Sequence, residues 1–242
     1  MELYQTLLKD SLAGKKKIAV LIDPDKYSIG SLSIVIKLSI DAGIDYFFLG
    51  GSLLLHDNQS QLIASIKGNT TIPVVLFPGN NLQLCNTADG ILLLSLISGR
   101  NPDMLIGRHV ISAPYLKASK LEIISTGYML IESGQTTAVT YMSNTMPIPS
   151  HKNDIAVCTA MAGEMLGMKL IYLDAGSGAK NPIPASMIAS VKESVGIPLI
   201  IGGGITSAEM AKAAFTAGAD LVVVGNAIEK NPGLIAGIAA AR

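Results

Sequence analysis

The sequence predicts an α/β fold: a single (β/α)8 barrel domain over residues 1–242. Three observations predict it. Eight short apolar runs recur along the chain, most without polar alternation, which is how parallel strands covered on both faces read. Stretches of helical period stand between them. No linker or shift in composition divides the chain, and 242 residues, 49% hydrophobic and 15% charged, can bury a sizeable core while excluding disorder or a solvated rod.

In chain order the expected strands are 17–22, 44–49, 72–77, 90–94, 121–131, 168–173, 197–201 and 221–224. Lys15, Lys16 and Lys17 read as a solvated turn before the first strand. From Asn80 to Pro149 the pattern is irregular, and one long strand is expected to take the place of a helix. Further on, Ile155, Cys158, Ala162, Met165 and Leu166 share one helical face, which places Cys158 on a core stripe; Met187, Ile188, Val191 and Val195 share another. Thr206 and Glu209 have capping-box spacing at the start of a helix over 207–217, and Gly218 ends it. The two cysteines, Cys85 and Cys158, lack CxxC or histidine spacing, so both read as small core residues and not as a disulfide or zinc site.

Eighteen basic residues balance eighteen acidic ones, so no basic face is available for nucleic acid. No apolar run approaches the roughly 18 residues that cross a bilayer. The chain opens Met1-Glu2, and the apolar run after Lys17 is too short for a secretory core, which predicts a cytoplasmic protein.

On this fold chemistry belongs at the C-terminal ends of the strands. Gly202-Gly203-Gly204 after the seventh and Gly225-Asn226 after the eighth suit a phosphate on backbone N–H groups, although glycines also serve plain βα turns. The sixth ends Tyr172-Leu173-Asp174-Ala175-Gly176-Ser177-Gly178, which offers a carboxylate able to take a proton from a substrate hydroxyl; a loop-capping aspartate reads equally well. The first ends Asp23-Pro24-Asp25-Lys26, suited to a hard cation or to a plain Asp-Pro turn. The second ends Gly50-Gly51-Ser52, with one hydroxyl within reach of the same ion. His56, His109 and His151 follow no metal-ligand spacing. Asp57 and Glu132 could line a cleft without an evident partner, and Tyr128 and Tyr141 read either as exposed interface anchors or as buried aromatics. The acid/base pair of a sugar-phosphate isomerase and the lysine of a Schiff-base aldolase are both missing from the strand ends.

These residues together resemble the geranylgeranylglyceryl phosphate synthase family, which includes the heptaprenylglyceryl phosphate synthases called PcrB. The likeness rests on Leu21 to Lys26, Leu49 to Ser52, Phe77-Pro78-Gly79, Ser95 to Pro102, Pro147 to Pro149, Tyr172 to Gly178, Gly202 to Ile205 and Gly225-Asn226. It implies a modified TIM barrel that joins sn-glycerol 1-phosphate to a polyprenyl diphosphate with Mg²⁺ and releases diphosphate, as a homodimer or larger homo-oligomer. By position Asp23 and Ser52 resemble the family's magnesium site. The glycerol-phosphate site is resembled by Tyr172, Leu173, Asp174, Ala175, Gly176, Ser177 and Gly178 with Gly203, Gly204, Gly225 and Asn226, and Tyr172 and Asp174 are the implied catalytic pair. Asp174 departs from the family's usual Glu by one methylene. The segment Ser95 to Pro102 implies a geranylgeranyl donor, with a longer prenyl donor as the alternative. An isomerase or lyase of other phosphates and a silent phosphate-binding barrel remain the other classes.

Overall fold

The computed structural model describes residues 2–242; Met1 lies outside the described residues. Eight parallel strands close into one barrel in chain order: β1 (Lys17–Ile22), β2 (Tyr46–Leu49), β3 (Val74–Leu76), β4 (Gly90–Leu96), β5 (Glu122–Leu130), β6 (Leu170–Asp174), β7 (Leu199–Gly202) and β8 (Leu221–Val224). The ring closes through β1 and β8, with Ala19 opposite Val223. Each strand falls within or next to an apolar run seen in the sequence, because residues covered on both faces have no reason to alternate with polar ones.

The helices are α1 (Leu3–Leu12), α2 (Ile29–Asp41), α3 (Gln59–Asn69), α4 (Arg108–Ala118), α5 (Ala138–Ser143), α6 (Asn153–Met165), α7 (Ala185–Ser194), α8 (Ala208–Thr216), α9 (Asn226–Lys230) and α10 (Leu234–Ala239). A π-turn at Asp103–Gly107 feeds directly into α4. Two apolar layers result. Phe48, Leu92, Ile124, Tyr172, Ile200 and Val223 fill the barrel, whose bottom is plugged by Leu3 and Leu7 of α1. Outward-facing residues such as Val20, Phe47, Ile171, Ile201 and Val222 pack under the helices.

Several expectations are corrected. The irregular stretch does lack one helix, at the Phe77 to Asp89 crossover between β3 and β4, but no long strand takes its place, and α4 stands between β4 and β5. The stripe assigned to the core of α6 faces outward: Ile155, Met165 and Leu166 are exposed, as are Ala162 and Cys158. The helix docks instead through Ala156, Ala160 and Gly163. Those residues are small enough to bring it so close that a Cβ on Gly163 would meet Ile97 at 2.8 Å. Cys85 is buried as expected. The helix-opening cap of α8 is Ser207, whose side chain accepts the Met210 N–H, not Thr206. Lys16 and Lys17 are not solvated: Lys17 bridges Asp10 and Asp45, each at 3.0 Å, and Lys16 lies 3.9 Å from Asp220. Among the described residues no helix is long and apolar enough to cross a membrane.

Candidate active site

The predicted site residues gather on one rim, at the C-terminal ends of the strands. On β6, inward alternation turns Tyr172 and Asp174 into the barrel, while Leu173 points to the outer layer. Asp174 is buried; its Oδ1 accepts the Gly176 N–H at 2.7 Å and its Oδ2 accepts the Tyr128 hydroxyl. Burial pushes its carboxyl above the usual carboxylate range, and those two hydrogen bonds oppose the rise. The Tyr128 and Tyr172 phenols are raised well above their ordinary values, by burial and then by the Asp174 charge. Tyr172 stacks on Phe77 at 5.1 Å, and Tyr128 meets both rings edge-on. Gly202 makes room for this packing, since a Cβ there would lie 2.2 Å from the Tyr172 hydroxyl.

Gly203 and Gly204 follow with φ of 78° and 72°, the left-handed region that glycine adopts without strain. A Cβ on Gly203 would strike the Gly176 nitrogen at 2.6 Å and Asp174 Oδ1 at 2.7 Å, so the β6 and β7 loops touch backbone to backbone. Among the described residues the N–H groups of Gly178, Gly203 and Gly204 have no protein acceptor. Ser177 Oγ donates to Asn226 Oδ1 at 2.8 Å, tying the β6 loop to Gly225-Asn226 after β8. Backbone N–H groups without a protein acceptor, on glycine-rich loops, are of the kind that can take an anion such as phosphate.

Across the rim, Asp23 lies against Gly51, whose added Cβ would sit 3.4 Å from Asp23 Oδ1, and Ser52 comes next. Asp23 is half-buried and, among the described residues, makes no salt bridge. Burial pushes its carboxyl up, opposed by the Asp25 N–H that it accepts at 3.0 Å. Glu229 of α9 is half-buried nearby, raised by burial and by the charge of Asp23. Asp25 is not part of this set. Its oxygens accept the N–H groups of Leu55 and His56 and meet the His56 ring at 2.9 Å, and these bonds outweigh burial and hold its carboxyl low. Among the described residues no group of three or more His, Cys, Asp or Glu is arranged to hold a metal. Asp23 and Ser52 could supply at most one or two oxygens to a hard cation, which would need its other ligands from elsewhere.

The helix-free crossover leaves an apolar groove alongside β4. It is lined at the rim by Gly51, Ser52, Phe77, Gly79, Met104 and Arg108, and further down by Leu93, Ser112, Leu116 and Ile91. Tyr128 also lines it, so this residue, read from sequence as an exposed anchor or a buried aromatic, joins the groove to the Asp174 carboxylate. The alternation Ile124, Thr126, Tyr128, Leu130 is the signal that places it inward. Arg108 carried no such signal. Of the remaining residues, Tyr141 is 80% exposed, His109 lines the groove with Nε2 2.9 Å from the Leu94 carbonyl, and His151, Asp57 and Glu132 are exposed.

Residues 12–242 match the model of the PcrB family. A geranylgeranylglyceryl phosphate synthase of Spirosoma linguale is 54% identical over 231 residues, 95% of this chain and 93% of that protein. Its counterpart in Chitinophaga pinensis is 53% identical, over 97% and 93%. Among solved structures, (S)-3-O-geranylgeranylglyceryl phosphate synthase from Thermoplasma acidophilum, in complex with its substrate sn-glycerol-1-phosphate, superposes with a TM-score of 0.93 at 29% identity, covering 100% of this chain and 98% of that one. The barrel, its glycine nest and these likenesses agree: the chain belongs to the PcrB family.

Proposed function

We propose that the protein is a prenyltransferase that forms the ether bond between sn-glycerol 1-phosphate and geranylgeranyl diphosphate, releasing diphosphate. One observation carries the reading: Tyr128 lines the apolar groove and hydrogen-bonds the buried carboxylate beside the glycine nest. A phosphorylated hydroxyl acceptor and a long apolar donor thereby meet at one acid/base group. The names of the relatives and the substrate of the Thermoplasma enzyme support the same pairing.

In this reading the phosphate rests on the N–H groups of Gly178, Gly203, Gly204, Gly225 and Asn226. That anchor turns the free hydroxyl of the glycerol toward Asp174, which takes its proton as the oxygen attacks the allylic carbon. Tyr172, Tyr128 and Phe77 wall the reacting centre and exclude water. Mg²⁺, held by Asp23 and Ser52, would neutralise the diphosphate as it leaves with the bonding electrons. The outward apolar residues of α6, with Ile111 and Tyr115 of α4 and Tyr141 of α5, support self-association into a homo-oligomer.

The test is product formation from labelled sn-glycerol 1-phosphate with prenyl diphosphates of several lengths, with and without Mg²⁺, and with the sn-3 enantiomer alongside. A magnesium-dependent ether product from the sn-1 form, fastest with geranylgeranyl diphosphate, is expected. A faster reaction with a longer donor would favour the heptaprenyl alternative. Bound glycerol phosphate with no product from any donor would overturn the reading.

A further inference from the structure

Arg108 occupies the junction between the π-turn and α4. Among the described residues that line the groove it carries the one permanent positive charge. Its Nη1 donates to the Gly79 carbonyl at 3.1 Å. No other protein acceptor or carboxylate partner of this side chain is present among the described residues; Asp103 Oδ1 faces Gly107 instead. A guanidinium has five N–H donors, so most are free in a half-buried place where an unpaired charge is costly.

Its neighbours say what would satisfy it. A Cβ on Gly79 would meet the Gly51 carbonyl at 2.4 Å and Ser52 Cα at 2.9 Å, and Gly51 lies against Asp23. Along the rim the order is therefore Asp23, Gly51-Ser52, Gly79, Arg108, with the apolar groove running down from its far end. A π-turn is rare, and such irregularities concentrate at functional sites, where they aim a side chain. Here five residues wound in that form, Asp103–Gly107, deliver Arg108 to the groove mouth.

We propose that Arg108 binds the diphosphate of the prenyl donor, gripping it from the side opposite Asp23 and Ser52; the proposal rests on the prenyl-transfer reading. The planar fork matches two phosphate oxygens at once, which lysine cannot do. As the allylic C–O bond breaks, its electron pair goes to the departing diphosphate, whose negative charge rises. Arg108 therefore contributes more in the transition state than in the bound donor.

The experiment is calorimetric titration of the intact protein with inorganic diphosphate, with geranylgeranyl diphosphate and with sn-glycerol 1-phosphate, on the wild type, Arg108→Gln and Arg108→Lys. Turnover is measured in parallel. Loss of a charge-assisted hydrogen bond predicts that Arg108→Gln weakens both diphosphates about 10- to 100-fold. Arg108→Lys should be intermediate, kcat should fall as well as KM rise, glycerol-phosphate affinity should not move, and the free Arg108→Gln protein should melt no lower than wild type. Unchanged diphosphate affinity in Arg108→Gln overturns the proposal, as does weakening of geranylgeranyl diphosphate without weakening of inorganic diphosphate, which would make Arg108 a wall of the groove. Arginine-dependent binding of inorganic diphosphate, with no binding of the prenyl form, supports the anion site and overturns the prenyl-transfer reading alone. A wild type that binds neither overturns both.

Discussion

Asp174 is buried with one phenol and one backbone N–H as its partners, and the balance of burial against those bonds leaves its carboxyl raised. A folded-state pKa above the unfolded value means that Asp174 supports the fold below the unfolded pKa, and that this support is lost as pH rises through the folded one. Asp174→Asn should therefore abolish turnover, while its melting temperature relative to wild type improves as pH rises from 4 to 8. A melting difference that moves the other way would mean the carboxylate is better stabilised than its burial implies. Tyr128→Phe removes a bond that holds the Asp174 carboxyl down, so the acid limb of the pH–rate profile should shift to higher pH, with kcat reduced about tenfold or more. Gly203→Ala places a Cβ against Asp174 Oδ1 and the Gly176 nitrogen in a left-handed conformation, costing about 1–3 kcal/mol; it should also weaken glycerol-phosphate binding, read by titration. The glycines and Asp174 were legible because they stand at strand ends. Tyr128 and Arg108 were not: the first lies within a long apolar run and the second in an irregular stretch, so only register and the groove reveal them.

At the scale of elements, the strands were legible and the helices only partly so. A parallel strand writes both its covered faces into the sequence as an unbroken apolar run, whereas an amphipathic period does not say whether its apolar face meets the barrel. In α6 the small residues Ala156, Ala160 and Gly163 dock, and the bulkier stripe is left outside. The first helix shows how a single polar contact fixes an element: the Glu122 carboxylate, at the start of β5, accepts the N–H groups of Leu3 and Tyr4, the latter at 2.8 Å. Those are unpaired donors of the first turn of α1, and they hold the plug of Leu3 and Leu7 in the barrel bottom. Glu122→Ala should lower the melting temperature by about 3–6 °C, the effect of losing a helix cap of about 1–2 kcal/mol in a chain of this size. Amide exchange should speed up in α1 first; uniform protection across α1 would show that its apolar contacts suffice without the cap.

For the molecule as a whole, the connections outside Asn80 to Pro149 read as regular crossovers, whereas inside that irregular stretch the sequence did not say which connection lacks its helix. A missing helix was expected somewhere in that stretch, but Phe77 to Asp89 has the turn residues of an ordinary loop and does not mark itself as the place. The consequence emerges only from the closed barrel: β4, spared its covering helix, shows one face to a groove that α4 bounds on the far side. Since α4 runs antiparallel to β4, Arg108 stands at the rim while Leu116 and Ile91 lie at the far end, and Ser112 is one turn below Arg108, with its hydroxyl bonded to the Arg108 carbonyl at 3.0 Å. If the prenyl chain of the proposed donor enters this groove, the depth below Ser112 sets how much of it fits. Ser112→Phe places an aromatic ring in that passage without touching the glycine nest or Asp174. It should leave glycerol-phosphate affinity unchanged while shifting donor preference, as a kcat/KM ratio, at least about tenfold toward shorter prenyl diphosphates, the size of effect that filling an apolar pocket produces. An equal loss for donors of all lengths would mean that the chain lies elsewhere, and would detach the groove from the reaction.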